Sequence, residues 1–219
     1  LRSAFLQRYN LTLKTAVLPM GYSFEASRES GGERSAEIQD RFTDRRSSFI
    51  LMVGTLEPRK AHLDVIRAFE ILWENGCEDQ LVIIGRKGWK IDAVANFIES
   101  HPLFGRLLFW YRDVKDAELI SAYRHCLGSV MASYGEGFGL PVIEALGHGK
   151  PVLARNLPVF AEHEKCGIWM FPPDVDTVGL AERIQEWSSR IKSGGIFVSR
   201  PTGKWDAAAE MIFSSLASE

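Results

Sequence analysis

The sequence is poor in cysteine, has no long apolar run and carries no excess of charge of either sign. Its three cysteines are odd in number and widely spaced, which argues against a disulfide framework and favours a reducing compartment, the cytoplasm. No apolar run approaches the ~20 residues that a membrane-spanning helix needs. With 26 basic and 28 acidic side chains, the chain lacks the basic excess typical of nucleic-acid-binding proteins.

Six short apolar runs, each unbroken rather than alternating, indicate strands that are covered on both faces. The segments between them have helical periodicity, as in the stripe from Leu63 to Trp73 and in another that begins at Val178. This alternation predicts an α/β fold with a doubly wound, parallel, Rossmann-like sheet. The predicted strands are 49–53, 81–84, 107–111, 130–132, 151–154 and 168–171.

Two stretches interrupt the alternation. Residues 23–48 are polar and of mixed charge, with two adjacent glycines inside, which predicts a linker or mobile surface segment. A second pair of glycines follows the last helical period, and residues 204–216 then have the pattern of a terminal helix. We therefore expect one binding domain over residues 49–200 and a C-terminal helical segment over 201–219.

In a doubly wound sheet, ligands bind beyond the carboxyl ends of the strands, near the point where the strand order reverses. The loop after the first predicted strand, residues 54–60, reads GTLEPRK. Gly54 permits a tight exit, and Arg59 and Lys60 place two cations before a helix whose N-terminal end also favours an anion. This combination suits a phosphate, although a solvated basic pair would have the same sequence.

The loop after the fourth predicted strand is rich in glycine and acidic residues. Residues 133–144 read SYGEGFGLPVIE; Pro141 marks a helix start and places Glu144 in the first turn. The glycines let the backbone approach a ligand, and Glu136 and Glu144 can accept hydrogen bonds from the hydroxyls of a sugar and a ribose. The competing interpretation is a plain glycine-rich turn whose carboxylates interact with the helix dipole.

The remaining motifs are weaker. In the loop 111–116, Val114 could flank a flat base, but the same residues also suit a simple helix start. The segment 147–150 lacks the upstream glycine of a phosphate loop. His163 and Cys166 have no second pair of ligands for zinc, so no metal site is expected.

Together these motifs resemble a known family. EGFGLP at 136–141, EA at 144–145 and GKPV at 149–152 look like the two-glutamate signature of retaining glycosyltransferase family 4, and GTLEPRK and Trp205 fit it as well. The resemblance covers about residues 17–217 and implies the C-terminal, nucleotide-sugar-binding lobe of the GT-B architecture. Residues 1–22 then resemble the end of the N-terminal lobe and its crossover. With the acceptor-binding lobe missing, we expect the chain to bind donor without turnover.

The resemblance also implies roles for individual residues. Arg59 and Lys60 would hold the leaving diphosphate and Glu136 would accept hydrogen bonds from the donor sugar, so these three are the expected catalytic residues. Glu144 would hold the ribose and Val114 would sit beside the base. The other expected donor-binding residues are Gly54, Thr55, Gly137, Phe138, Gly139 and Leu140.

Two positions depart from the family pattern. Thr55 stands where many members carry arginine, so Arg59 would have to supply that charge. Ala61 and His62 stand where a glycine often follows the lysine. The GTLEPRK variant is similar to that of bacterial mannosyltransferases for surface polysaccharide such as lipopolysaccharide. It implies retaining transfer from GDP-mannose rather than a UDP-sugar, without a metal or other cofactor, to an acceptor glycan, with peripheral association at the inner membrane face.

Two other functions remain open on the sequence. A two-lobed sugar-nucleotide epimerase would need a histidine at the cleft, for which His148 is the loop candidate. A non-catalytic interaction module would be favoured by exposed apolar residues on the terminal helix. The intact set of Lys60, Glu136 and Glu144 argues against that module.

Overall fold

The computed structural model describes residues 6, 8, 9, 42, 48–201 and 209–214. Between residues 48 and 201 the chain alternates strands and helices. The strands are β1 (Phe49–Val53), β2 (Gln80–Ile84), β3 (Leu108–Tyr111), β4 (Gly128–Met131), β5 (Val152–Arg155) and β6 (Ile168–Phe171). The helices are α1 (His62–Glu74), α2 (Asp92–Glu99), α3 (Asp116–His125), α4 (Leu140–Gly147) and α5 (Thr177–Lys192), with 3₁₀ segments Pro58–Lys60 and Pro158–Cys166.

The six strands form one parallel sheet in the order β3-β2-β1-β4-β5-β6. The chain winds outward in one direction through β1, β2 and β3, then returns to β1 and continues through β4, β5 and β6. The order therefore reverses between β1 and β4, and the loops that follow these two strands border the crevice at the carboxyl end of the sheet. The predicted doubly wound α/β sheet is confirmed.

Both faces of the sheet are covered, which explains the unbroken apolar runs. Ile50 and Met52 of β1 belong to the apolar cluster that also contains buried residues of α1, α2 and α5. Phe49 and Leu51 belong to the opposite cluster, with buried residues of α3 and α4. Successive residues of β1 thus point to opposite faces, as a strand requires, and each face meets its own helical layer.

Each predicted strand coincides with an observed one to within two residues at either end. Two members of the predicted helical stripes are misplaced, because Leu63 is 36% exposed and Val178 is 55% exposed. Each step of three residues shifts the side chain by about 60° around the helix, so Leu63 lies outside the face on which Ile66 and Phe69 are buried. Val178 and Leu180 are about 200° apart, and only Leu180 faces the sheet.

The polar segment contributes to the core at one position. Phe42 is 2% exposed, and its ring centroid lies 5.7 Å from those of Phe49 and Tyr111. Within the stretch 23–48, predicted to be a linker or mobile surface segment, Phe42 therefore packs against the sheet and is not solvated. Residues 23–41 and 43–47 lie outside the described residues, as does most of 1–22.

Backbone contacts divide the chain into two compact units, residues 26–201 and residues 1–25 with 202–219. In the second unit, residues 209–214 are helical, within the predicted terminal helix, whereas 204–208 and 215–216 lie outside the described residues. Among the helices that the structure describes, none combines the length and apolarity that crossing a membrane requires.

Candidate functional site

The loops that follow β1 and β4 are in direct contact across the crevice. The backbone N–H of Tyr134 donates to the carbonyl oxygen of Arg59 at 2.8 Å. In return, the Arg59 Nη1 atom donates to the carbonyl oxygen of Gly135 at 3.0 Å. The strand order brings together residues that are more than 70 positions apart in the chain.

An ion cluster occupies this contact. The Lys60 Nζ atom lies 2.6 Å from Glu136 Oε1, and Arg59 Nη1 lies 3.1 Å from Glu136 Oε2, so each carboxylate oxygen faces one cation. Arg59 also donates from Nε to Glu57 at 3.0 Å. The Lys60 and Glu136 side chains are 9% and 6% exposed, whereas that of Arg59 is 46% exposed. The three predicted catalytic residues therefore meet at one place.

The electrostatics of Glu136 follow from these neighbours. Burial alone would raise the pKa of its carboxyl. Hydrogen bonds from Lys60, Ser133 and Arg59, together with the charge of Lys60, outweigh burial and hold the pKa of Glu136 below its usual range. Glu136 is therefore an anion at neutral pH and can accept hydrogen bonds from hydroxyl groups.

The turn that follows the cationic pair has an unusual backbone. Ala61 adopts a left-handed conformation, with φ of 56° and ψ of 36°, and α1 starts directly after it without a side-chain cap. A non-glycine residue in this region is strained. His62, the first residue of α1, is 2% exposed, and both its ring nitrogens lack a hydrogen-bond partner. Burial, assisted by the charge of Lys60, lowers the pKa of His62 to about 4, so the ring is neutral.

The loop after β2 is fastened to the loop after β1. Leu56 donates its N–H to Arg86 and accepts from the N–H of Gly88, both at 2.9 Å. A Cβ atom at Gly85 would lie 2.0 Å from the carbonyl oxygen of Gly54, and one at Gly88 would lie 2.4 Å from that of Leu56. The backbones touch at these points, so Gly54 and exposed Thr55 lie on a segment that its neighbour holds in place.

The glycine-rich loop ends at the start of α4. Gly139 has a φ of 79°, and a Cβ atom there would lie 2.4 Å from the Phe160 ring, so glycine is required. The helix begins at Leu140, with Pro141 next, and has no side-chain cap. Around this start, Gly137 is exposed, Phe138 is half-buried and Leu140 is 45% exposed. Uncapped backbone N–H groups at a helix start suit an anion or a hydroxyl oxygen.

The second glutamate has a partner that is not a member of the ion cluster. Because α4 starts one residue before Pro141, Glu144 lies in the second turn, and its predicted place in the first turn is wrong. The Tyr123 hydroxyl donates to Glu144 Oε2 at 2.8 Å. Burial and the neighbouring carboxylate raise the pKa of Tyr123 well above its usual value, so the phenol keeps its proton and orients Glu144.

His148 does not lie at the crevice. It follows the C-terminal end of α4, about 12 Å along the helix axis from the start at Leu140. Its ring stacks on Tyr123, with centroids 5.5 Å apart and planes at 19°. This position disfavours the epimerase alternative, which needs a histidine at the cleft.

Val114 lies beyond β3, at the edge of the same end of the sheet. It is half-buried and packs against the apolar cluster that contains Phe42. It also lines a cavity of about 420 Å³. Since β3 is two strands from β1, this cavity is about 10 Å from the cationic loop in the direction across the sheet. The other residues that line it are Glu99, Phe104, Trp110, Tyr111, Arg112 and Asp113.

Sequence reasoning missed a second group at the crevice, formed by Arg155, Asp64 and Tyr134. Arg155 ends β5 and is 2% exposed, and its guanidinium carbon lies 4.3 Å from the centroid of the Tyr134 ring. Arg155 Nη2 lies 3.5 Å from Asp64 Oδ2, which also accepts from the Tyr134 hydroxyl at 2.5 Å. The signal in the sequence was a single charged residue at the end of an apolar strand.

Other reactive groups are few in the part of the chain that the structure describes. It contains no group of three or more His, Cys, Asp or Glu side chains placed to hold a metal ion. Cys77, Cys126 and Cys166 are free thiols, and burial raises the pKa of Cys126 to about 12. On the terminal helix, Met211 and Phe213 are 46% and 71% exposed, which is the feature that the interaction hypothesis requires.

Comparison with known proteins identifies relatives of this chain. Residues 33–192 match the profile of the family described as Glycosyl transferases group 1. The chain is 40% identical over 171 residues to the serotype-specific mannosyltransferase WbdA of Escherichia coli. The aligned residues cover 77% of this chain and 21% of the relative. It is 32% identical over 149 residues to the O-antigen chain mannosyltransferase B of Escherichia coli, which is 65% of this chain and 38% of that relative.

Solved structures have the same fold. The sucrose-phosphate synthase of Thermosynechococcus elongatus superposes with a TM-score of 0.65 at 20% identity, over 99% of this chain and 55% of that one. The chain thus spans about a fifth of the length of the WbdA relative and about half of this structural neighbour.

Proposed function

Because the chain belongs to the Glycosyl transferases group 1 family, we propose that it is the nucleotide-sugar-binding domain of a retaining mannosyltransferase in surface polysaccharide synthesis. The observation that carries this proposal is the meeting of Arg59 and Lys60 with Glu136 at the point where the strand order reverses. An adjacent pair of cations and a carboxylate match the two halves of a sugar diphosphate, one anionic and one rich in hydroxyl groups.

Arg59 and Lys60 bind the diphosphate in this proposal. A lysine ammonium has three N–H donors and a guanidinium has five, so their contacts with Glu136, Glu57 and Gly135 leave donors for phosphate oxygens. The ion cluster fixes both side chains before the ligand arrives. The same two cations stabilise the negative charge that develops as the diphosphate leaves. Because Thr55 stands where many family members carry an arginine, Arg59 also supplies the positive charge of that missing arginine.

Glu136 receives the sugar. Its carboxylate has lone pairs beyond those that the two cations use, and hydroxyl groups of a hexose are suitable donors. Backbone N–H groups at the start of α4, from Phe138, Gly139 and Leu140, face the same end of the sheet, and Gly137 leaves the approach open. Retention of configuration at the transferred carbon follows the family and forms part of the proposal.

Glu144 and Val114 bind the nucleoside. Tyr123 uses one oxygen of Glu144, which leaves the other for a ribose hydroxyl. The cavity beside Val114 lies about two strand spacings from the cationic loop, a distance that a nucleoside can bridge. Gly54 allows the diphosphate to approach the backbone where the loop leaves β1.

GDP-mannose is the proposed donor. The two relatives are mannosyltransferases by name, one of them for O-antigen chains, and we extend that sugar to this chain. The acceptor is a surface glycan that other parts of the protein bind, at the inner face of the membrane. Three free thiols agree with a cytoplasmic location. The proposal assigns no metal ion or other cofactor to the donor site.

Isothermal titration of the 219-residue chain tests the proposal, with GDP, GDP-mannose, UDP and UDP-glucose as ligands. We expect GDP and GDP-mannose to bind and the uridine ligands to bind more weakly. Absence of heat with all four at millimolar concentration would overturn the donor site. Tighter binding of UDP than of GDP would overturn the choice of donor and leave the site in place.

A further inference from the structure

We propose that Arg155 is a positioning residue that fixes the loop carrying Glu136, and that it controls recognition of the sugar but not of the nucleotide. The second half of this inference rests on the proposed function. Among the described residues, the hydrogen bonds and the ion pair of Arg155 involve Ala132, Pro173 and Asp64, and not Glu136 or the cationic pair. Arg155 therefore acts through the loop.

One buried side chain connects the ends of three strands. Arg155 Nε donates to the carbonyl oxygen of Ala132 at 2.9 Å, at the point where the chain leaves β4. Its Nη1 atom donates to the carbonyl oxygen of Pro173, just beyond β6. Arg155 itself ends β5. The planar guanidinium has donors in a rigid fork, so these bonds fix both position and direction of the loop that starts at Ala132.

The same guanidinium orients Tyr134, the second residue of the loop. The Tyr134 ring lies against it at 4.3 Å, and the Tyr134 hydroxyl is bound to Asp64, which also pairs with Arg155. The Tyr134 backbone is bound in turn to Arg59. The segment from Ala132 to Gly135 is therefore held by Arg155 at one end and by Arg59 at the other, and Glu136 follows directly.

The charge arrangement agrees with a positioning role. Arg155 is almost completely buried, yet its acidic partner among the described residues, Asp64, lies at 3.5 Å and is shared with Tyr134. Its shorter hydrogen bonds go to backbone carbonyls. The buried guanidinium donates its hydrogen bonds to backbone carbonyls and so fixes the position of that backbone. Its removal would leave those carbonyls without partners.

The consequence is selective. Loss of Arg155 removes the hydrogen bond to Ala132 and the contact with the Tyr134 ring from the loop of Glu136, which binds the sugar. The loop of Arg59 and Lys60 shares bonds with that loop but keeps its own backbone bonds from Leu56 to Arg86 and Gly88. Arg155→Met is therefore expected to reduce the ratio between GDP-mannose and GDP affinities by about tenfold, equivalent to one charged hydrogen bond. GDP affinity itself should stay within about threefold of wild type.

The matched control is Asp79→Asn. Asp79 is also buried and forms an ion pair with Lys192 at 2.7 Å, but it lies just before β2, at the amino end of the sheet. This variant should lose stability without a change in the affinity ratio. A merely structural role for Arg155 predicts the same behaviour for both variants, so an unchanged ratio in Arg155→Met would overturn the inference.

Hydrogen exchange gives a readout that needs no ligand. The amide of Tyr134, which donates to the carbonyl oxygen of Arg59, should exchange faster in Arg155→Met than in wild type, while Asp79→Asn leaves it unchanged. If wild type binds no nucleotide, the proposed function fails; if it binds GDP and GDP-mannose equally, the proposed recognition of the sugar fails. In either case hydrogen exchange alone decides whether Arg155 fixes the loop of Glu136. Unchanged protection in Arg155→Met would then overturn that role.

A second variant covers the case in which Arg155→Met does not fold. Tyr134→Phe removes the hydroxyl that binds Asp64 and keeps the ring against the guanidinium. It should increase exchange of the amide of residue 134 and lower the ratio of GDP-mannose to GDP affinity by about threefold, a smaller effect than that of Arg155→Met. Wild-type values for both measurements would contradict the inference.

Discussion

One buried histidine lies at each end of the sheet, and the two differ in whether their ring nitrogens have hydrogen-bond partners. At the amino end, His101 Nε2 lies 3.2 Å from Glu70, and its Nδ1 accepts from the N–H of Leu103 at 3.1 Å. At the carboxyl end, His62 has no partner for either ring nitrogen. Buried polar groups in proteins are nearly always paired, and an exception marks a place where something other than stability has determined the residue.

Backbone strain follows the same division. Among the described residues, the two non-glycine residues with positive φ are Ala61 and Lys90, and both lie in loops at the carboxyl end. Turns at the amino end that need positive φ use glycine, as at Gly76 and Gly105. The carboxyl end therefore stores strain next to the ion cluster, and such strain clusters at functional sites.

The largest expected effect concerns pH. The pKa of His62 is about 4 when folded against an ordinary 6.5, so the folded state binds fewer protons between these values. The contribution of His62 is complete above pH 6.5 and is lost as the pH falls toward 4, by about 3 kcal/mol at most.

Urea unfolding between pH 4.5 and 7.5 measures this loss. In His62→Met, the free energy of unfolding should decrease less as the pH falls. His101→Gln, the matched variant at the amino end, should still show the decrease that His62 causes. Equal slopes in wild type and His62→Met would show that His62 is not the cause.

The next effect concerns two lysines that are each paired with a buried carboxylate. Lys60→Met removes a charged donor from the proposed diphosphate site and should weaken GDP binding by about 10- to 100-fold in calorimetry. Lys192→Met breaks the pair with Asp79 at the amino end and should leave GDP affinity unchanged. Similar losses in both variants would mean that stability, and not contact with the ligand, is being measured.

A smaller effect of opposite sign is expected for Glu136→Gln. The carboxylate offsets part of the positive charge of the two cations in the free chain, so its removal should strengthen GDP binding by about threefold while reducing the additional affinity of GDP-mannose. Glu70→Gln, which changes the partner of His101, is the control and should alter neither value. Weaker GDP binding in Glu136→Gln would contradict this account of the cluster.

The smallest effect tests the strain. Lys90→Gly removes a left-handed lysine at an exposed position and should stabilise the fold by about 0.5 kcal/mol, the strain relieved less the added freedom of the unfolded chain. Gly76→Ala at the amino end, where a Cβ atom meets nothing within 4 Å, should destabilise by about 1 kcal/mol. Urea midpoints with unchanged slope measure both, and a destabilised Lys90→Gly would refute the strain argument.

The sequence was informative wherever a local pattern has one structural meaning. A strand covered on both faces is an unbroken apolar run, so all six strands could be placed. Parallel strands bring their following loops to one edge, so contact between the loops after β1 and β4 could be expected without coordinates.

Features that depend on partners remote in sequence could not be derived in this way. Arg155 meets Asp64 across 91 positions, and no local pattern predicts that pair. Phe42 lies in a stretch that is polar on average, as solvated segments are. One aromatic residue changes that average polarity too little to reveal that it is buried. Glu144 was found, but its hydrogen bond to Tyr123 depends on how α3 and α4 pack.

The glycines at 85 and 88 have a consequence for engineering. Because the backbones on either side of them touch, residues 54–60 and 86–90 form a single interlocked piece of the crevice. A chimera that transplants only one of these segments from a relative would place a foreign surface against an unmatched partner. Any exchange of donor preference between relatives should therefore move both segments together and retain both glycines.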